Sequence, residues 1–181
     1  MNPTFASLTA RTIERIYQVG TKLDNDCYRD SYKRIAHAAP QVGGRNLPPW
    51  SPYSRFCRIW GSLIQNDGAW VRFPREYRGL GAPGALAMAG WSQLIRGPKI
   101  WNGELRPGAV LQAWRKPEFY RAVRDGNKPA GLLGHSFVFI GYERTGGGIT
   151  GLRVADNGYH GNEIVRVSRW PVLVGANTIA G

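Results

Sequence analysis

The hydrophobic pattern changes character near Leu105, and this limits the fold more than any other feature of the chain. Upstream, apolar residues recur at helical spacing. Phe5, Leu8, Ile13, Ile16 and Tyr17 predict a first helix over 4–19, closed by Gly20. Asp24 or Asn25 is placed to cap a second helix over about 26–38. Pro40, Gly43, Gly44, Pro48, Pro49 and Pro52 make residues 39–52 a loop. Ser51-Pro52 reads as the start of a third helix, with Phe56, Ile59, Trp60, Leu63 and Ile64 as its apolar stripe. A helix of small residues is expected at about 83–95. Downstream, apolar residues come in short runs between turns: 109–114, 135–143, 150–155, 163–168 and 171–176. Gly146-Gly147-Gly148 and Asp156-Asn157-Gly158 separate them at hairpin-like distances, and 116–134 is a charged excursion with a helical turn at 117–124. Helices followed by a strand meander predict an α+β fold, with N-terminal helices packed on a C-terminal antiparallel sheet. At 181 residues a single domain is expected, helical over about 1–104 and strand-rich over about 105–181.

Within that frame the chemistry concentrates on one cysteine. Cys27 lies in Asp24-Asn25-Asp26-Cys27-Tyr28-Arg29-Asp30, at the expected start of the second helix. Backbone N–H groups and the positive end of the helix dipole favour a thiolate there. Cys57 lies on an apolar stripe, beside Phe56 and one turn before Trp60, and reads as an inert core thiol. His135 opens an apolar strand directly after Gly134 and is the candidate base. His37, ten residues after Cys27, is about 15 Å away on a continuous helix. His160 falls in a glycine-flanked turn. Asp156 ends the next strand, where antiparallel pairing brings it beside His135; Asn157 is the alternative, since an amide carbonyl also accepts an imidazole N–H. Cysteine, histidine and carboxylate in this order are the parts of a thiol nucleophile with its base and orienter. The expected catalytic set is therefore Cys27, His135 and Asp156, with Cys27 unpaired with Cys57.

No metal site is expected: three scattered histidines and two cysteines lack the spacing of zinc ligands. No phosphate-binding glycine loop is present, and no cofactor is expected. The formal charge of +12 suits a polyanionic partner, but the basic residues are scattered, with no run of four, and form no known nucleic-acid motif. Nucleic acid is disfavoured, although a basic, non-catalytic polyanion-binding module is the competing class. No apolar run approaches the roughly 20 residues of a membrane span. The N-terminus reads as lacking a signal peptide, so the protein is expected to be made in the cytoplasm and to leave by another route.

These residues resemble the papain-like cell-wall cysteine peptidases of the NlpC type and the CHAP amidases. Asn25-Asp26-Cys27 resembles their nucleophile segment, and Leu105-Arg106-Pro107-Gly108-Ala109-Val110 their leucine-x-proline-glycine-aspartate strand entry. Gly134-His135 with Phe137-Val138-Phe139-Ile140-Gly141 resembles their histidine strand, and Asp156 holds the place of the third polar residue. The family's serine-glycine after the cysteine is Tyr28-Arg29 here, and its aspartate after proline-glycine is Ala109. The resemblance implies cleavage of amide bonds in peptidoglycan stem peptides through a thioester. In size, charge and apparent lack of a leader the chain is also similar to antibacterial amidase toxins, including type VI secretion effectors. These act in a target-cell periplasm and need an immunity protein. A groove of Trp50, Tyr53, Trp70 and Trp101 is the expected surface for glycan and peptide. Acyl transfer of the transglutaminase type would use the same three catalytic residues.

Overall fold

A computed structural model describes residues 24–41, 46–64, 68–127, 134–156, 164–165 and 172–177. The helix expected over 4–19 lies outside them, as do Asn157, His160 and most of the strand expected over 163–168. In chain order the elements are α1 (Cys27–Gln41), α2 (Arg55–Trp60), a 3-10 turn (Ala69–Arg72), α3 (Gly81–Met88), β1 (Leu94–Arg96), α4 (Pro98–Trp101), β2 (Val110–Trp114), α5 (Pro117–Arg124), β3 (Gly134–Thr145), β4 (Gly148–Ala155), β5 (Ile164–Val165) and β6 (Val172–Ala176). The fold is α+β, with most of the helix before the main strands.

Among the described residues the strands form one antiparallel sheet in the order β1-β6-β2-β3-β4-β5. The β3–β4 hairpin turns at Gly146 and Gly147, whose φ values of 58° and 83° suit the positive-φ pair of a tight hairpin. Alternation along β2 and β3 builds two cores. Val110, Trp114, Val138 and Ile140 face α1, α2 and α3, where they meet Tyr32, Ile35, Trp60, Ala82 and Leu86. Leu111, Ala113, Phe137 and Phe139 face the other way, onto Ile100, Leu105, Leu152 and Val154. Because both faces are covered, all five residues of β2 are buried, four apolar and one the amide Gln112.

Several expected boundaries move. The loop expected from residue 39 begins later, since α1 runs on to Gln41. The cap of α2 is Ser54, whose hydroxyl accepts from the Cys57 N–H at 3.1 Å. Ser51 instead forms the preceding turn, its carbonyl accepting from the Ser54 N–H. The stripe through Leu63 and Ile64 is cut short because α2 ends at Trp60 with Gly61 as its C-cap. The small-residue helix stops at Met88, and Leu94–Arg96 forms an edge strand against β6 instead of its last turn. The glycines of α3 allow close approach: a Cβ on Gly84 would lie 2.6 Å from the Tyr77 carbonyl oxygen. No helix among the described residues is long and apolar enough to cross a membrane.

Candidate active site

Asp26 sets the start of α1. Its carboxylate accepts from the Tyr28 N–H at 2.8 Å and its carbonyl from the Asp30 N–H at 2.9 Å, so it is the N-cap and Cys27 is the first helical residue. Asp24, one of the two expected caps, instead holds the loop before the helix. It accepts from the Asp26 N–H at 3.1 Å and pairs with Lys33 at 2.8 Å and Arg29 at 3.4 Å. Its carboxyl lies below the usual range, chiefly through the Lys33 hydrogen bond.

The first turn of α1 is fixed to the sheet by hydroxyl contacts. Ser31 Oγ lies 2.9 Å from Ser136 Oγ on β3, in the buried interior. Trp60 Nε1 donates to the Tyr28 carbonyl at 3.1 Å and reaches Ser31 Oγ at 3.3 Å, joining α2 to the same point.

Hydrogen-bond direction along β3 explains where the thiol sits. Phe139 exchanges backbone hydrogen bonds with Gly108 and Ala109, so its N–H and C=O point toward β2. Neighbouring residues alternate, and Ser136 and Val138 therefore point toward β4. The last rung of β4 pairs Ala155 with Val138. The Ser136 N–H thus lies beyond the end of β4, on the side of the Cys27 thiol, whose pKa it lowers. With Ser31 fixed to Ser136, the start of α1 is placed against this rim of the sheet.

His135 and Asp156 meet at the same rim. Strand alternation puts the His135 ring on the face of Phe137, and the two rings pack with centroids 5.4 Å apart. Asp156 follows Ala155 directly and turns onto that face too. His135 Nε2 lies 2.9 Å from Asp156 Oδ2, with both side chains buried. With the carboxylate as acceptor, Nε2 carries the proton, which leaves Nδ1 as the ring's accepting nitrogen.

The electrostatics of the thiol differ from the sequence expectation. Burial is the largest influence and pushes the Cys27 thiol from its ordinary 9.0 up to about 12. The amides of Ser136, Cys27 and Tyr28 pull the other way, as a helix start should, and the Asp26 carboxylate adds to the rise. The cap that starts the helix therefore opposes a thiolate at its first residue. Burial thus outweighs the preference for a thiolate expected from the helix position. Burial likewise pushes the Tyr28 phenol up.

Cys57 is fully buried, accepting from the Ser51 N–H at 3.3 Å, and both cysteines are free thiols. The four expected groove aromatics do not converge. Trp70 is 2% exposed and donates from Nε1 to the Val123 carbonyl at 2.7 Å, so it is a core residue and not a groove wall. Trp101 packs on the opposite face of the sheet, against the Phe137–Phe139 core. Trp50 packs edge-on against Tyr32 of α1 at 5.0 Å, and Tyr53, three residues on, is 80% exposed. Among the described residues no three His, Cys, Asp or Glu side chains form a metal-binding group. Sequence reasoning did not single out Ser136, or the buried Asp30 and Arg34 behind the site. The i, i+4 spacing of the last two, on the face that also carries Ile35 and Ala38, was the available signal.

Compared with known proteins, the chain matches no family model, no curated protein and no solved structure.

Proposed function

We propose that the chain is a cysteine-dependent amide hydrolase that cleaves peptidoglycan stem peptides through a thioester, acting as an antibacterial toxin. The observation that carries the chemistry is the buried His135–Asp156 hydrogen bond, 2.9 Å long, on the strand whose next residue, Ser136, anchors the first turn of the Cys27 helix. The substrate class rests on the motif resemblance and on the chain's basic charge, which suits acidic stem peptides.

In this reading His135 Nδ1 accepts the Cys27 proton as sulfur attacks the peptide carbonyl. Because the resting thiol is neutral, proton transfer and attack proceed together. The S–C bond forms, and the carbonyl oxygen gains negative charge opposite the Cys27 N–H, one of the first-turn amides that a helix leaves without an internal partner. The imidazolium, stabilised by the Asp156 carboxylate, returns its proton to the leaving amine as the C–N bond breaks. Water, deprotonated by His135, then releases the acid and restores the thiol. Trp50 and Tyr53, on the loop before α2, supply aromatic surface for the glycan. Delivery into a target-cell periplasm and neutralisation by a partner that caps the thiol complete the proposal.

Purified protein and Cys27→Ala are incubated with peptidoglycan fragments and the products read by mass spectrometry. The expected result is new amine and carboxyl termini in the stem peptide with the parent protein only. Equal cleavage by both proteins would sink the assignment.

A further inference from the structure

Two charged residues are sealed inside the protein behind the site. Asp30 is 0% and Arg34 1% exposed, one turn apart on α1, and Arg34 Nε donates to Asp30 Oδ2 at 2.7 Å. A surface pair serves solubility, but a pair removed from water is costly to desolvate and is weak support for stability in itself. What these two residues touch is more informative. Arg34 Nη2 donates to the main-chain carbonyl of Asp156 at 2.8 Å. Asp30 Oδ1 accepts from the Asp24 N–H at 3.3 Å, in the loop that leads into Cys27. A connected path therefore runs from the entry to the nucleophile, through Asp30 and Arg34, to the backbone of the residue whose carboxylate meets His135. Asp156 lies just past the last ladder rung of β4, so strand pairing alone does not fix it.

Resting on the cysteine-hydrolase reading, we propose that Asp30 and Arg34 are positioning residues that lock the end of β4 to α1 and so aim the Asp156 carboxylate at His135. Arg34 suits this task because its planar fork can serve a carboxylate and a carbonyl at once, which the point charge of lysine does less well.

The test reads the His135 N–H directly, so it does not depend on the substrate. In 15N-labelled wild type, an imidazole N–H held by a buried carboxylate gives a far-downfield proton signal, assigned by its loss in His135→Ala. The double variant Asp30→Leu/Arg34→Met removes both charges and fills the space with apolar side chains, which leaves no orphan ion. While it stays folded by near-UV circular dichroism, it is expected to lose the downfield signal to exchange. Its kcat on peptidoglycan fragments should fall about 100-fold with KM within about twofold of wild type, as misplacement of a catalytic group predicts. A folded double variant that keeps the signal overturns the proposal, whatever its activity. If the double variant does not fold, Arg34→Lys is read in its place. It keeps the charge beside Asp30 but loses the fork, and the same loss of signal is expected; retention overturns the proposal. A wild type that shows the signal, and variants that lose it, with no peptidoglycan turnover in any of them, would support the positioning role while refuting the hydrolase reading.

Discussion

The neutral resting thiol makes a sharp kinetic prediction. Reaction of Cys27 with a small aromatic disulfide is followed from pH 5 to 10, and the modified peptide is identified by mass spectrometry to separate it from buried Cys57. An unburied thiol with the ordinary value of 9.0 is about 3% thiolate at pH 7.5, whereas a thiol pushed to about 12 is about 0.003% thiolate, a thousandfold less. The more basic sulfur is the better nucleophile. With a Brønsted slope of about 0.4–0.5, the rise in thiol pKa from 9.0 to about 12 recovers a factor of about 15–30. The net expectation is a rate about 30–60-fold below that of an exposed cysteine. Restricted access slows the reaction as well, so the decisive quantity is the slope: the rate should climb about tenfold per pH unit through pH 10 without levelling near 9. A plateau between pH 5 and 8 would refute the reasoning, because it requires a thiolate already paired with an imidazolium.

Two further predictions concern the scaffold. Gly81 has φ +57°, and a Cβ there would lie 2.3 Å from Gln112 Oε1, so Gly81→Ala combines a left-handed backbone penalty with a displaced buried amide; urea unfolding should show a loss of about 2–4 kcal/mol, and a wild-type midpoint would contradict this. Trp70→Phe removes one of two donors to the Val123 carbonyl, which keeps the Gly126 N–H at 3.1 Å, and should cost about 0.5–1.5 kcal/mol by the same assay, with kcat of the proposed peptidoglycan hydrolysis unchanged, whereas a raised KM would restore Trp70 to the substrate surface.

Capping chemistry and hairpin connections are local properties, and they were legible, whereas the return of β6 between β1 and β2 departs from the expected meander. The Asp-rich segment before Cys27 marked a helix start to within a residue, and the glycine pair at 146–147 marked the hairpin that brings β4 back along β3. The approach of Asp156 to His135 followed from that hairpin. Features set by distant partners were not legible. Residues 94–96 continue a run of small and apolar residues and become a strand only because β6, about eighty residues later, pairs with them. Trp70 looked like a binding aromatic because nothing nearby in sequence announces the α5 backbone that covers it. The protonation of Cys27 escaped for a related reason. Its helix position is written in the sequence and favours a thiolate, while the burial that outweighs it comes from packing against β3. Asp30 read only as a polar residue flanking the nucleophile and Arg34 was not singled out, since burial of charge cannot be inferred from charge alone.

The place of β6 between β1 and β2 has a consequence for how the protein matures. It is the latest-synthesised of the six strands, yet it fills an interior slot of the sheet: Ala176 pairs with both Leu94 and Val110. Neither neighbour has its full set of hydrogen bonds until that segment has left the ribosome and travelled back across more than sixty residues of chain. Closing so long a loop is slow relative to forming helices or the β3–β4 hairpin. The sheet that supports the thiol, imidazole and carboxylate is thus completed only after all three have been made. Under the proposed hydrolase function, such an order of assembly keeps the sheet of the nascent chain unfinished until translation has passed residue 176.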